Sequence, residues 1–236
     1  MKNIAVITGA SSGIGKKFIT SLNDYARFDE VWVIARTLSK LEKLQDEVDF
    51  EIRPISLDLT KQQDYDKYQN LLEEQKPNIQ LLINASGYGA FASTQDVGMK
   101  TNLDMIDLNV KGVVAMTMLS IPYMQKGARI VQIASLASYQ PVPYMNVYAA
   151  SKVFVKYFSR ALNQELKKDG IHCMAACPYW TKTNFFNTAQ SSGKQGIVKK
   201  YIVMYQPENI VKQTFKDLKK NKDVSIYGFV AKAQAF

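Results

Sequence analysis

Apolar residues are distributed along this chain in two alternating ways: short runs filled at consecutive positions, and longer stretches where they recur every three or four residues. The short runs at 3–8, 31–35, 51–56, 81–84, 129–134 and 171–177 predict strands buried on both faces. The stretches at 13–23, 39–47, 62–75, 102–124, 147–168 and 208–219 predict helices between them, with a last short strand at 224–227. Strand and helix alternating in this order build a mostly parallel sheet with crossover helices on both faces. The expected fold class is therefore α/β, a doubly wound sheet in a single domain over residues 1–236. Ligands of such sheets sit beyond the carboxyl ends of the strands, where strand order reverses, so the chemistry is to be sought in the loops that follow strands.

Composition supports one ordinary core and removes several function classes. Hydrophobic residues make up 47% and charged residues 22% of 236, and the 12 Gly and 7 Pro are spread out, with no linker or repeat. Cys173 and Cys177 share one predicted strand, where four residues span about 13 Å, too far for a disulfide, so both are expected as buried thiols. His172 is the only histidine and falls within a strand, which excludes a histidine-rich metal centre and disfavours a Ser-His-Asp hydrolase; no metal is expected. The net charge of +9 has a cluster in Lys199, Lys200, Lys212, Lys216, Lys219, Lys220 and Lys222. A solvated basic face is the plain reading; contact with a nucleotide phosphate, an acyl carrier or an acidic membrane is the alternative, and without interleaved aromatics no nucleic acid is expected. The first strand starts at Asn3, leaving no room for a signal peptide, so a cytoplasmic location is expected. Asp107, Asn109, Lys111 and Pro122 make the apolar stretch 105–124 a buried helix rather than a membrane span.

Two motifs carry chemistry. Thr8-Gly9-Ala10-Ser11-Ser12-Gly13-Ile14-Gly15 follows the first strand and opens a helix, a turn that lets backbone amides and the positive helix end approach a pyrophosphate. Its spacing is not the general G-x-G-x-x-G fingerprint. Tyr148 and Lys152 lie four apart in a predicted helix, so a phenol and an ammonium project from one face, where the cation is expected to favour the phenolate and draw the tyrosine toward a useful proton affinity. Together, T-G-x-x-x-G-x-G and Y-x-x-x-K resemble the short-chain dehydrogenase/reductase family, and the resemblance covers nearly the whole chain.

The resemblance implies a Rossmann-like sheet and a nicotinamide cofactor held by Gly9, Ser11, Ser12, Gly13, Ile14 and Gly15, with Asp58 and Leu59 at the adenine. It implies further contacts at Asn84, Ala85 and Gly87, where the chain reads Asn-Ala-Ser-Gly for the family's Asn-Asn-Ala-Gly, and at Pro178, Thr181 and Thr183, where Tyr179 replaces a glycine. Ser135, thirteen positions before Tyr148, is selected over Ser138 as the group that orients the substrate oxygen. Tyr148 would be the general acid or base, Lys152 would lower its pKa and hold the nicotinamide ribose, and Asn109 would maintain a proton path to Lys152. The reaction implied is interconversion of a carbonyl and a secondary alcohol. A nucleotide-binding sensor or scaffold without turnover is the competing reading.

Cofactor choice rests on the end of the second strand, which reads Ala35-Arg36-Thr37 with no carboxylate. Arg36 offers a planar fork for a ribose phosphate and Thr37 a hydroxyl, so NADP(H) is preferred and NAD(H) is the alternative. Phe91, Tyr139, Tyr144, Tyr179, Trp180, Phe185 and Phe186 favour an apolar or cyclic small-molecule substrate, with loop packing the competing explanation. Met105, Ile106, Val113, Met116, Phe154, Tyr157, Phe158 and Ala161 put apolar surface around two helices. Pairing of these helices in a homodimer or homotetramer, which the resemblance also implies, is expected over a fully intramolecular core. The ending at Phe236 is apolar and is left unassigned.

Overall fold

In the computed structural model, which describes residues 1–183 and 203–235, seven strands form one parallel sheet in the order β3-β2-β1-β4-β5-β6-β7. The strands are β1 Asn3–Thr8, β2 Glu30–Ala35, β3 Ile52–Ser56, β4 Asn78–Asn84, β5 Arg129–Ile133, β6 His172–Ala176 and β7 Val224–Ser225. Helices α1 Gly13–Thr20, α2 Leu38–Glu42, α3 Gln62–Gln75, α4 Thr94–Val97, α5 Met99–Ile106, α6 Gly112–Ser120, α7 Asn146–Glu165, α8 Pro207–Lys219 and α9 Phe229–Gln234 surround it.

Consecutive apolar residues are needed because each strand supplies two cores. Ala5 and Ile7 of β1, Val31 and Val33 of β2, and Leu81 and Ile83 of β4 pack with Phe18 of α1 and Phe215 of α8. Their neighbours Ile4, Val6, Trp32, Ile34, Ile79 and Leu82 pack on the other face with Tyr68 and Leu72 of α3, Met116 of α6 and Leu162 of α7. Successive side chains of a strand point to opposite faces, so a polar residue at either parity would be buried.

Two local features depart from the periodicity. The helix expected at 102–124 begins at Met99 and contains a π turn, Asp107–Lys111, whose extra residue leaves Asn109 fully buried. By length and composition alone this helix could cross a membrane, yet Met105, Val113 and Met116 are buried in the protein. The unassigned ending forms α9, whose Ala231 is buried while Phe229 is exposed. Cys173 and Cys177 are free buried thiols as expected, and burial pushes both above the ordinary thiol range, Cys177 to about 11.

Strand order reverses between β1 and β4. The two ends are tied there by Thr8, whose hydroxyl accepts from the Ala85 and Ser86 amides at 3.1 and 3.2 Å. Beyond this point opens a crevice.

Candidate active site

The crevice has a volume of about 1010 Å³ and runs over the carboxyl ends of the strands. Its floor is the glycine turn. Gly9 has φ +68° and approaches the loop after β4 so closely that a Cβ would lie 2.6 Å from the Ala85 carbonyl oxygen. At Gly15 a Cβ would lie 2.2 Å from the Gly9 oxygen, so the helix can start this close to the strand only as glycine. Ser11, Ser12, Gly13 and Ile14 complete this wall, and the first turn of α1 contains no acid, leaving the positive helix end open to an anion. These features fit the diphosphate of a dinucleotide.

At one end of the crevice stand Arg36 and Thr37 from the loop after β2, and with them Lys40. Lys40 is a second cation that sequence reasoning missed; it stands in the first turn of α2, four residues after Arg36 in the same short βα connection. Asp58 and Leu59 lie on the wall. Asp58 Oδ1 accepts from the Thr60 amide and hydroxyl at 3.1 and 2.8 Å, while its own amide donates to Asp64 at 2.7 Å, which fixes the loop after β3.

The loop after β4 divides. Ala85 and Gly87 line the crevice, whereas Asn84 does not. Its amide donates to Thr117 Oγ1 and Gln132 Oε1, both at 3.0 Å, in a polar knot between β4, β5 and α6, so the expected cofactor contact through Asn84 is corrected to a core role. Asn109 is also behind the wall: its Oδ1 accepts from the Tyr88 amide at 3.0 Å and its Nδ2 donates to the Tyr88 carbonyl and Ser151 Oγ at 2.9 and 3.1 Å. It braces the loop against α7 rather than facing the crevice. A Cβ on Gly87 would lie 2.8 Å from Asn109 Oδ1 and 3.3 Å from Lys152 Nζ, so the missing side chain is what brings these groups close to the wall.

Ser135, Tyr148 and Lys152 all reach the crevice. Ser135 follows β5, and its hydroxyl accepts from the Ala137 amide at 3.2 Å. Burial pushes the Tyr148 phenol up to about 12, partly offset by a hydrogen bond with Ser135. Burial also lowers Lys152 to about 8; its Nζ donates to the Ile133 carbonyl at 2.8 Å and lies 5.8 Å from the Tyr148 ring centroid. The expectation that Lys152 draws Tyr148 toward neutrality is thereby corrected. Desolvation by burial is the largest cause and sets the upward direction, with the Ser135 hydrogen bond opposing it.

Pro178, Thr181 and Thr183 line the far wall with Tyr179 and Trp180. Tyr179 needs no left-handed backbone, and its ring is taken up beside Trp180 and Tyr205, both at 6.1 Å. Tyr205 in turn donates its amide to the Trp180 carbonyl at 2.8 Å and accepts from Lys182 at 2.9 Å. Phe91 packs edge-on to Trp180 at 6.1 Å, in a cluster that includes Met145 and Tyr148. Tyr139 and Tyr144 do not join this wall, and Phe185 and Phe186 lie outside the described residues. Gln234 of α9 reaches the crevice, which no sequence signal marked. His172 is elsewhere, bound through Nε2 to the Lys222 carbonyl at 3.0 Å. Among the described residues no His, Cys, Asp or Glu cluster could hold a metal.

A doubly wound sheet with a glycine turn at its switch point and a Ser-Tyr-Lys set above it defines a dinucleotide-binding protein of the oxidoreductase kind. The short chain dehydrogenase family model matches residues 3–194, and the chain belongs to that family. It is 34% identical over 200 residues to the very-long-chain 3-oxoacyl-CoA reductase of Anas platyrhynchos, covering 80% of this chain and 62% of that protein. With the 17-beta-hydroxysteroid dehydrogenase type 3 of Rattus norvegicus it shares 31% identity, covering 79% and 63%. This chain thus spans under two thirds of the length of these relatives. A short-chain dehydrogenase from Sphingobium yanoikuyae, solved in complex with NADPH, has the same fold, with a TM-score of 0.84 and 24% identity over 99% of this chain and 91% of that one.

Proposed function

We propose that this protein is an NADP(H)-preferring reductase that converts an apolar ketone to a secondary alcohol. The observation that carries the reading is the convergence of Ser135, Tyr148 and Lys152 on the same crevice that the glycine turn lines, with Ser135 hydrogen-bonded to the Tyr148 phenol. When bound, the nicotinamide supplies the hydride that reaches the carbonyl carbon. Ser135 orients the carbonyl oxygen, and Tyr148 gives its hydroxyl proton to the oxygen as charge develops there. Lys152, within reach of the same wall, holds the ribose and stabilises the phenolate left behind.

The relatives' names, a 3-oxoacyl-CoA reductase and a hydroxysteroid dehydrogenase, support an apolar acyl or cyclic ketone, in keeping with Val142, Met145 and Trp180 on the wall. The test is NADPH consumption with 3-oxoacyl thioesters of increasing chain length and with steroid ketones. Turnover rising with apolar size supports the reading. Tight NADPH binding with no turnover of any ketone would replace it with the sensor reading.

Cofactor preference follows from Arg36 and Lys40. Arg36→Asp is expected to raise the KM for NADPH by about 10- to 100-fold, the equivalent of one or two charge-assisted contacts, while leaving that for NADH within about threefold. Equal changes for both cofactors would refute the assignment.

A homodimer is proposed through α5 and α7. Leu103, Ile106, Phe154 and Tyr157 are exposed there, with Tyr157 at 65% exposure, and Phe154 stacks on Phe158 at 5.8 Å. Apolar surface of this extent on adjoining helices favours pairing. Phe154→Asp combined with Tyr157→Asp is expected to halve the solution mass measured by light scattering; a wild-type chain already monomeric at micromolar concentration would remove the proposal.

A further inference from the structure

Lys156 has no part in the chemistry above, yet it is a buried cation on the catalytic helix. Tyr148, Lys152 and Lys156 follow at intervals of four along α7, so they share one face, turned toward the end of β5. Lys152 Nζ donates to the Ile133 carbonyl at 2.8 Å, and Lys156 Nζ donates to the Ser138 carbonyl at 2.7 Å. Two lysines from one helix thus hold the chain on either side of Ser135.

The turn between those anchors is internally tight. Ser138 donates both its hydroxyl and its amide to the Ser135 carbonyl, at 2.6 and 3.0 Å, and the Ala137 amide donates to Ser135 Oγ. Movement of residue 138 therefore displaces Ser135. The Lys156 ammonium also lies 3.5 Å from the centroid of the Tyr139 ring, so it is held between a carbonyl and an aromatic face. Among the described residues no carboxylate forms an ion pair with it. Cys177 just after β6, Arg160 on α7 and the phenols of Tyr139 and Tyr157 are the titratable groups around it, and burial lowers its proton affinity. An apolar side chain would fill this site without the desolvation penalty, so the cation is there for its directed contacts.

We propose that Lys156 is a positioning residue, which together with Lys152 clamps the 135–138 turn and sets Ser135 Oγ against the Tyr148 hydroxyl. This rests on the reductase reading above. It acts on the reaction only through Ser135, and that gives the proposal a distinctive consequence in a double-mutant cycle.

The experiment compares Lys156→Met, Lys156→Arg, Ser135→Ala and the Ser135→Ala/Lys156→Met double variant in the full chain, with Tyr148→Phe alongside. Lys156→Met is expected to lower kcat about 10- to 100-fold with the KM for NADPH within about twofold, and Lys156→Arg to recover most of it by donating to the same carbonyl. In the Ser135→Ala background the Met substitution is expected to change kcat by less than about twofold. The acid limb of alcohol oxidation should move to higher pH in Lys156→Met, because the phenol loses the hydrogen bond that favours its ionised form. Wild-type kcat in Lys156→Met, an undiminished loss in the Ser135→Ala background, or equal loss in Met and Arg variants would overturn the proposal. If the Met variant does not fold, Ser138→Ala removes the hydroxyl link alone and should lower kcat about three- to tenfold; an unchanged kcat there overturns it equally. An inactive Tyr148→Phe beside a fully active Lys156→Met rejects only the clamp, whereas an active Tyr148→Phe rejects the reductase mechanism itself.

Discussion

Tyr148→Phe is expected to lower kcat for ketone reduction by about 10² to 10⁴-fold, the usual share of general acid catalysis, while binding NADPH within about threefold of the wild type. The substitution removes one hydroxyl from a side chain that is already buried, so the ring still packs with Phe91, Met105 and Met145. The fold should persist. What is lost is the phenolic proton that the proposed mechanism delivers to the developing alkoxide; Ser135 Oγ, which accepts from the Ala137 amide, and Lys152, which donates to the Ile133 carbonyl, remain in place. Stopped-flow absorbance at the reduced nicotinamide band separates the steps: binding intact and hydride transfer slow. Retention of more than about a tenth of wild-type turnover would remove Tyr148 from the proton path.

Lys152→Met is expected to abolish most reduction and at the same time make the protein more heat-stable. Burial lowers this lysine to about 8 from an ordinary 10.5, so the folded state binds its proton less tightly than the unfolded chain does. Below pH 8 both states are charged and the folded one carries the full desolvation penalty, at most about 3 kcal/mol; the penalty is relieved as pH rises from about 8 to 10.5. Wild-type stability should therefore increase with pH across that window as far as this group is concerned. Methionine removes the penalty but leaves the Ile133 carbonyl without its donor, costing about 1 to 2 kcal/mol, so a net rise of about 2 to 4 °C in Tm is expected near pH 7. Activity has the opposite dependence. The ammonium form is the working one, so kcat/KM for reduction should fall as pH rises through about 8 in the wild type, and that limb should vanish in the residual activity of the variant. A lower Tm together with an unchanged pH profile would mean that Lys152 is structural.

Much of this site was legible from residue order because its parts are set by local backbone needs. Gly9 with its φ of +68° and Gly15 against the Gly9 carbonyl are needs of the turn itself, met within eight residues of chain, while the close approach of Gly9 to Ala85 comes from the loop after β4. Tyr148 and Lys152 meet because they are four apart on a helix, and the two-faced strands could be read from Ile4, Ala5, Val6 and Ile7 alone. Asn84 and Asn109 were less legible: both are where the pattern puts them, but which way each amide turns depends on Thr117, Gln132, Tyr88 and Ser151, contributed by other elements. Tyr179 illustrates the same limit, for its ring is accommodated by Tyr205, which is distant in sequence.

By itself the sequence determined the α/β order, the placement of the glycine turn after the first strand, and the pairing of phenol with ammonium, since each depends on periodicities of two or 3.6 residues or on a single tight turn. Only the tertiary structure decided the proton affinities of that pair. Proton affinity is set by how much water the surrounding elements exclude, and it is the closure of α5, α7 and the loops after β4, β5 and β6 around Tyr148 and Lys152 that strengthens the phenol's hold on its proton and weakens the lysine's.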